Sequence, residues 1–164
     1  MNFRKATPQD SKCFLELMKQ LDQETEFMMM EPGERTSTAE DMEQYLRTME
    51  TSNSLFLLLF DGQKAVGFLS AKRGNANRMK HSAYIVCGIL KDYRGNGWGK
   101  ILFHELLKWA PENGITRLEL TVMTHNDKAI LLYRSMGFEV EGRLVHSMVV
   151  NGSYVDQYSM AKLL

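Results

Sequence analysis

Two basic residues bracket a glycine-rich run, Tyr93-Arg94-Gly95-Asn96-Gly97-Trp98-Gly99-Lys100. Spaced glycines let a backbone come close to a ligand, and flanking cations suit an anion. An apolar stretch, Ala83 to Leu90, leads into the run. Ile101 to Ala110, apolar at helical spacing, leads out of it. Strand, turn and helix in that order put the unpaired N–H groups of a helix N-terminus at the turn, where a phosphate can bind. The same pattern describes a tight connector without a ligand, and at this point both readings stand. A magnesium-binding P-loop needs Ser or Thr after Gly-Lys, and Gly99-Lys100 is followed by Ile101. The dinucleotide fingerprint needs a third glycine three positions after Gly97, where Lys100 stands. Both spacings fail.

Composition narrows the class further. A length of 164 residues suits one domain, residues 1–164, with a core that needs no disulfide. Lys plus Arg and Asp plus Glu both number 20, so no bulk charge points to nucleic acid. Cys13 and Cys87 lie far apart in apolar contexts, which predicts a reducing compartment and no metal site. Met1 to Lys5 lacks the apolar core of a leader, and the densest apolar run, Leu55 to Phe60, is too short for a membrane span. The cytoplasm is the expected location.

The elements around the turn can be read in order. Asn2 to Ala6 reads as a first strand. Thr7-Pro8-Gln9-Asp10 starts a helix whose apolar face is Phe14, Leu17, Met18 and Leu21. An acidic segment follows, with Asp22, Glu24, Glu26, Glu31 and Glu34 interleaved with Phe27 and Met28-Met29-Met30, and broken at Pro32-Gly33. Thr38 and Asp41 form a capping-box signature for a second helix carrying Met42, Tyr45, Leu46 and Met49. Strands are predicted over Ser54–Phe60, Ala65–Ala71 and His81–Leu90, with Asp61-Gly62 turning the first pair and Gly74–Lys80 a basic loop. The helix after the turn ends near Asn113-Gly114, and Leu118–Val122 is a strand. Asn126 or Asp127 caps a helix with Ala129, Ile130, Leu132, Tyr133 and Met136, closed by Gly137. Glu139–Val150 and Ser153–Leu163 flank Asn151-Gly152, a strong hairpin signal. The order β-α-α-β-β-β-α-β-α-β-β predicts an α/β protein of the α+β kind, a mixed sheet of about seven strands with helices on both faces.

Arg94-x-x-Gly97-x-Gly99 resembles the acetyl-coenzyme A signature of the GNAT family of N-acetyltransferases, written Gln/Arg-x-x-Gly-x-Gly/Ala. Asn126 to Phe138 is similar to that family's second signature, with the asparagine, the alanine, the tyrosine and Gly-Phe in place. The tail from Glu141 to Asp156 is similar to the branch containing bacterial spermidine and ribosomal-protein acetyltransferases. Three segments in the right order cover residues 81–164, and the element order of the front half agrees.

The resemblance implies transfer of acetyl from acetyl-coenzyme A directly to a primary amine, with no metal. It implies pyrophosphate contacts from the backbone of Gly95, Asn96, Gly97, Trp98 and Gly99, with Gly97 and Gly99 where a β-carbon would obstruct. Arg94 and Lys100 would add charge, and Trp98 would anchor the turn in the core. The coenzyme arm would run along Cys87, Gly88 and Ile89, in a gap between the strands Tyr84–Leu90 and Leu118–Val122, and Asn126 would bond to it. Gly88 sits where a bulge would free an N–H for the acetyl carbonyl. Cys87 has no base beside it and reads as packing. Tyr133 would be the general acid to the thiolate; on its residues alone it equally suits an aromatic in a buried stripe.

Glu24, Glu26, Glu31, His81, Glu119 and His125 are the chemically able bases, and a water relay needs none of them. The acidic segment predicts a cationic acceptor, a polyamine or a protein or peptide N-terminus, or else is a solvated loop. The alternative to an enzyme is an acetyl-coenzyme A sensor without turnover. The long terminal hairpin predicts a homodimer edge.

Overall fold

The computed structural model describes residues 1–164. Chain order gives β1 (Asn2–Lys5), α1 (Ser11–Glu24), α2 (Ala39–Thr51), β2 (Leu55–Asp61), β3 (Lys64–Arg73), β4 (Ser82–Ile89), α3 (Trp98–Glu112), β5 (Arg117–Met123), α4 (Asp127–Ser135), β6 (Glu139–Val150) and β7 (Ser153–Leu163). The predicted order of elements is the observed one. One sheet runs β1-β2-β3-β4-β5-β7-β6, antiparallel at every pairing except β4 with β5.

Each helix start has a chemical cause. Thr38 Oγ1 accepts from the Asp41 N–H at 3.2 Å while Asp41 Oδ2 accepts from the Thr38 N–H at 2.8 Å, a reciprocal box that sets the start of α2. At α1 the helix is entered through a 3₁₀ turn, Pro8–Asp10, and Asp10 Oδ2 accepts from the Thr7 N–H at 2.8 Å. The Arg4 guanidinium clasps the same carboxylate at 2.7 and 2.8 Å, tying β1 to this turn.

The sheet carries a core on each face. Phe14, Leu17, Met18 and Leu21 of α1 and Met42, Leu46 and Met49 of α2 pack on Phe56, Leu58 and Phe68. On the other face Leu102, Phe103 and Leu106 of α3 and Ile130 of α4 pack on Leu57, Leu69, Ile85, Leu118 and Leu120. Up to Leu58 the even positions of β2 serve one core and the odd ones the other, as the period of two requires; the alternation breaks at the bulge of Leu59 and Phe60, both of which join the α1/α2 core. No helix is long and apolar enough to cross a membrane.

The feature that positions the site is a split in the sheet. β4 and β5 are paired only at Ser82–Arg117, Ala83–Leu118 and Tyr84–Glu119. Beyond Tyr84, β4 stays with β3 as far as Ile89, while β5 stays with β7 through Met123. A wedge opens between them.

Candidate acetyl-coenzyme A site

The wedge leads directly to the glycine run. After Ile89 the chain makes a 3₁₀ turn over Lys91–Tyr93, and α3 begins at Trp98 with Gly97 as its N-cap. The first bond into the helix is Ile101 N–H to the Gly97 carbonyl at 3.2 Å. No backbone N–H from Gly95 through Lys100 donates to a protein group. A continuous row of free donors at the positive end of a helix is an anion cradle. Gly95 and Gly97 sit at φ +80° and +82°, a left-handed conformation in which a side chain is strained.

The glycines divide their work differently from expectation. A β-carbon on Gly97 would meet open space, so backbone conformation is what requires glycine there. One on Gly99 would lie 3.0 Å from Leu132 Cδ2, so glycine there lets α3 close against α4 while its N–H stays in the donor row. Trp98 is half-buried at the edge of the α1/α2 core, not within it.

Gly88 requires the clearest correction. The β3–β4 register runs unbroken through Phe68–Gly88, so there is no bulge. Leu90 N–H donates to the Val66 carbonyl, and the His81 carbonyl accepts from Thr116 and Arg117 N–H. Backbone groups alternate along a strand, so Gly88 turns its N–H to β3, while those of Cys87 and Ile89 face the wedge. A β-carbon on Gly88 would come within 2.9 Å of Leu21 Cδ1 and 3.0 Å of Phe68 Cε1. Glycine is there so that α1 can lie close on the sheet.

Cys87 packs on the α3/α4 core, and burial pushes its thiol up to about 12, which leaves it protonated and unreactive. Arg94 is exposed, and its Nε donates to the Ile89 carbonyl at 2.6 Å, one of the wedge-facing groups. Lys100 is exposed on the first turn of α3.

Tyr133 is carried on α4, and its ring packs on the same core as Cys87 and Ile89 of β4. Asn126 caps that helix, its Oδ1 accepting from Ala129 N–H at 3.4 Å, so the asparagine performs the plain capping role. The Tyr133 ring lies 5.5 Å from that of Phe103 and 6.3 Å from that of Phe138. Burial holds the phenol above its ordinary value, and the nearby Cys87 and Tyr84 raise it further. It is therefore an acid that keeps its proton.

On the opposite face the acidic segment is pinned in three places. Arg35 clasps Asp22 at 2.7 and 3.0 Å, an ion pair with both side chains largely out of solvent. Glu24 Oε2 accepts from the Lys91 N–H at 2.8 Å. Glu26 meets His125 at 2.9 Å, with the Phe27 ring 5.1 Å from the imidazole. A cleft of 490 Å³ lies over this segment, lined by Glu24, Glu26, Phe27, Pro32, Arg94 and Asn151 among others. Of the six able bases, Glu24, Glu26, His125 and Glu119 are thus already bonded, Glu119 to Arg117 at 2.9 Å. His81 lies at the closed end of β4 and Glu31 is exposed on the loop. A residue that no motif marks also stands here: the Tyr84 hydroxyl lies 2.7 Å from Thr121 Oγ1 where β4 and β5 part. Its signal was an aromatic on the solvent-facing side of an alternating strand.

These features agree with what the chain resembles. The sequence pattern of the acetyltransferase (GNAT) family matches residues 15–138. Spermidine N(1)-acetyltransferase of Escherichia coli (strain K12) is 34% identical over 110 residues, covering 64% of this chain and 55% of that protein. The N-alpha-acetyltransferase RimI of Mycobacterium tuberculosis (strain ATCC 25618 / H37Rv) is 34% identical over 102 residues, 62% of this chain and 61% of that protein. The chain therefore spans little more than half the length of these curated relatives. Over its full length it superposes on the crystal structure of a GNAT-family acetyltransferase from Streptococcus pneumoniae, with a TM-score of 0.95, 31% identity and 99% coverage of both chains. The family pattern over most of the sequence and the superposition over nearly the whole chain make this chain a member of the GNAT acetyltransferase family.

Proposed function

We propose that residues 1–164 form a single catalytic domain that moves acetyl from acetyl-coenzyme A to a primary amine. The observation that carries this is the free donor row from Gly95 to Lys100, opening onto a wedge with Tyr133 at its side. The row suits a pyrophosphate, and the wedge-facing N–H groups of Cys87 and Ile89 suit the amide-bearing arm of the coenzyme. Arg94 and Lys100 stand close enough to add charge, and Asn126 holds the start of the helix that carries Tyr133. The thioester supplies an acyl group already activated toward an amine.

Tyr133 supplies the proton that the departing thiolate needs. A thiol ionises near ~8.5 and a phenol near ~10 in water. Burial raises the phenol, so Tyr133 arrives protonated at every physiological pH, and the same desolvation raises the basicity of the departing thiolate that takes the proton. Glu24, Glu26, His125 and Glu119 already hold partners, and a water relay deprotonates the amine without calling on any of the six.

The acceptor is a cationic amine, a polyamine or a peptide N-terminus. Glu26, Glu31 and Glu34 present carboxylates beside Phe27 and Met29, both exposed, and the Arg35–Asp22 clasp holds that loop in place. Spermidine, a peptide with a free N-terminus and neutral L-amino acids, each assayed for thiol release, test this directly. Release with neither cationic acceptor but with neutral amino acids removes the cationic reading. Tight binding of acetyl-coenzyme A without release from any amine leaves a sensor.

Two free thiols, Cys13 and Cys87, fit a reducing compartment such as the cytoplasm. The outer edge of β6 carries Leu144, Val145 and Val149 in exposed positions, the surface on which a homodimer would form, and light scattering measures it.

A further inference from the structure

The wedge passes through the sheet, so it has two mouths. Tyr133, Cys87 and Ile89 belong to the mouth on the α3/α4 side. The other mouth opens on the face of β4, β5 and β7 that α1 and α2 leave uncovered. There Tyr84 is 40% exposed and Val86 38%, on a strand whose alternate residues Ala83 and Ile85 are buried.

Tyr84 is the last residue of β4 to pair with β5, opposite Glu119. Its hydroxyl crosses forward to Thr121 Oγ1 at 2.7 Å, the first position of that face beyond the pairing. Gln157 of β7, diagonal to Thr121, donates from Nε2 to the same oxygen at 3.4 Å. One polar row thus spans three strands at the point where the sheet parts. The amide can only donate to the threonine, so the direction of the shorter bond is the open variable. A substrate ammonium also has donors only, and it selects the arrangement in which Tyr84 donates to Thr121 and keeps its oxygen lone pairs for the incoming N–H. Val86, two residues along the same face, offers an apolar wall to the carbon that bears the nitrogen.

We propose that Tyr84 receives the acceptor amine, its phenolic oxygen accepting an N–H of the substrate, while Thr121 and Gln157 act as positioning residues that aim it. The inference rests on the amine acetyltransferase reading above and adds the group that holds the nucleophile. Tyr133 then faces the leaving group from one mouth and Tyr84 the nucleophile from the other.

The test uses steady-state kinetics with the best acceptor from the amine panel. Tyr84→Phe is expected to raise KM for the amine about tenfold, the effect of losing one hydrogen bond to a charged group, with kcat and the Kd of acetyl-coenzyme A nearly unchanged. Thr121→Val shifts KM the same way, Thr121→Ser restores it, and the double variant is no worse than Tyr84→Phe because the row acts as one unit. Tyr154→Phe, on the exposed hairpin, serves as the unchanged control. Melting temperatures confirm that each variant is folded. An amine KM within twofold of the parent in Tyr84→Phe overturns the proposal, as does a parallel loss of acetyl-coenzyme A binding. Absence of transfer to every amine in the parent protein instead overturns the function on which it rests.

Discussion

Glu24 and Lys91, 67 residues apart, are joined by a 2.8 Å hydrogen bond from the Lys91 N–H to Glu24 Oε2. Glu24 is the last residue of α1, and Lys91 opens the turn that becomes the donor row. Gln20 Nε2 donates to the other oxygen at 2.7 Å, so the carboxylate is spoken for on both sides. The helix that borders the acidic segment thereby sets the position of the anion turn.

Removing that strut should be felt in binding before stability. In Glu24→Ala the exposed Lys91 N–H finds water, so the protein loses only about 1 kcal/mol. The turn, less preorganised, should bind coenzyme A about three- to tenfold more weakly by calorimetry. Glu24→Gln keeps an acceptor oxygen and should restore both. Were Glu24 the base, Glu24→Gln would instead abolish kcat with binding intact.

Tyr133→Phe should lower kcat about 10²-fold while the Kd of acetyl-coenzyme A stays within twofold. The pH dependence follows from the direction of the shift. The folded phenol is raised by burial, then by Cys87 and Tyr84, so its protonated form persists to a higher pH than in the unfolded chain. Its contribution is whole below the ordinary phenol value and is lost as pH rises through the folded one. No falling limb of kcat assigned to Tyr133 should therefore appear at or below about pH 10. A limb below that pH that vanishes in Tyr133→Phe would show an unshifted phenol.

Much of this arrangement was legible before any coordinates, because its causes are local. The Thr38–Asp41 box, the Asn151-Gly152 turn and the apolar stripe of α1 each follow from residues within a few positions of one another. The three signature segments are local as well. What escaped depends on register. That β4 and β5 part after Tyr84, that Tyr84 then meets Thr121, and that Gly88 faces β3 with its N–H are set by pairing between distant strands. A glycine reads the same in sequence whether it admits a ligand, a left-handed turn or a neighbouring leucine.

Asp10 makes stability depend on acid. The Arg4 guanidinium first, and then the Thr7 backbone N–H, hold its carboxyl below the usual range. A lowered folded value means that stability is full above the unfolded value near ~3.9 and is lost as pH falls through the folded one. Urea midpoints should hold down to about pH 5 and fall as the pH is lowered further. Asp10→Asn, which cannot titrate, should be less stable at neutral pH by about 1–3 kcal/mol and show a flatter decline. Parallel acid slopes for parent and variant would remove Asp10 from the account.

Gly88→Ala separates packing from chemistry, because alanine retains the N–H that a catalytic role would need. The added carbon would press on Leu21 Cδ1 and Phe68 Cε1, both on buried side chains with little freedom to retreat. Overpacking of this kind costs about 1–3 kcal/mol. Leu21→Val, which shortens one of the two obstructing side chains, should recover part of that loss when combined with Gly88→Ala, though alone it costs about 1 kcal/mol. Such coupling, read by urea denaturation, is what a helix seated against a missing β-carbon demands. If glycine at 88 served the acetyl group and not the seating of α1, the two substitutions would be additive in stability. The unbroken register with β3 leads us to expect kcat unchanged, because the N–H groups that face the wedge are those of Cys87 and Ile89.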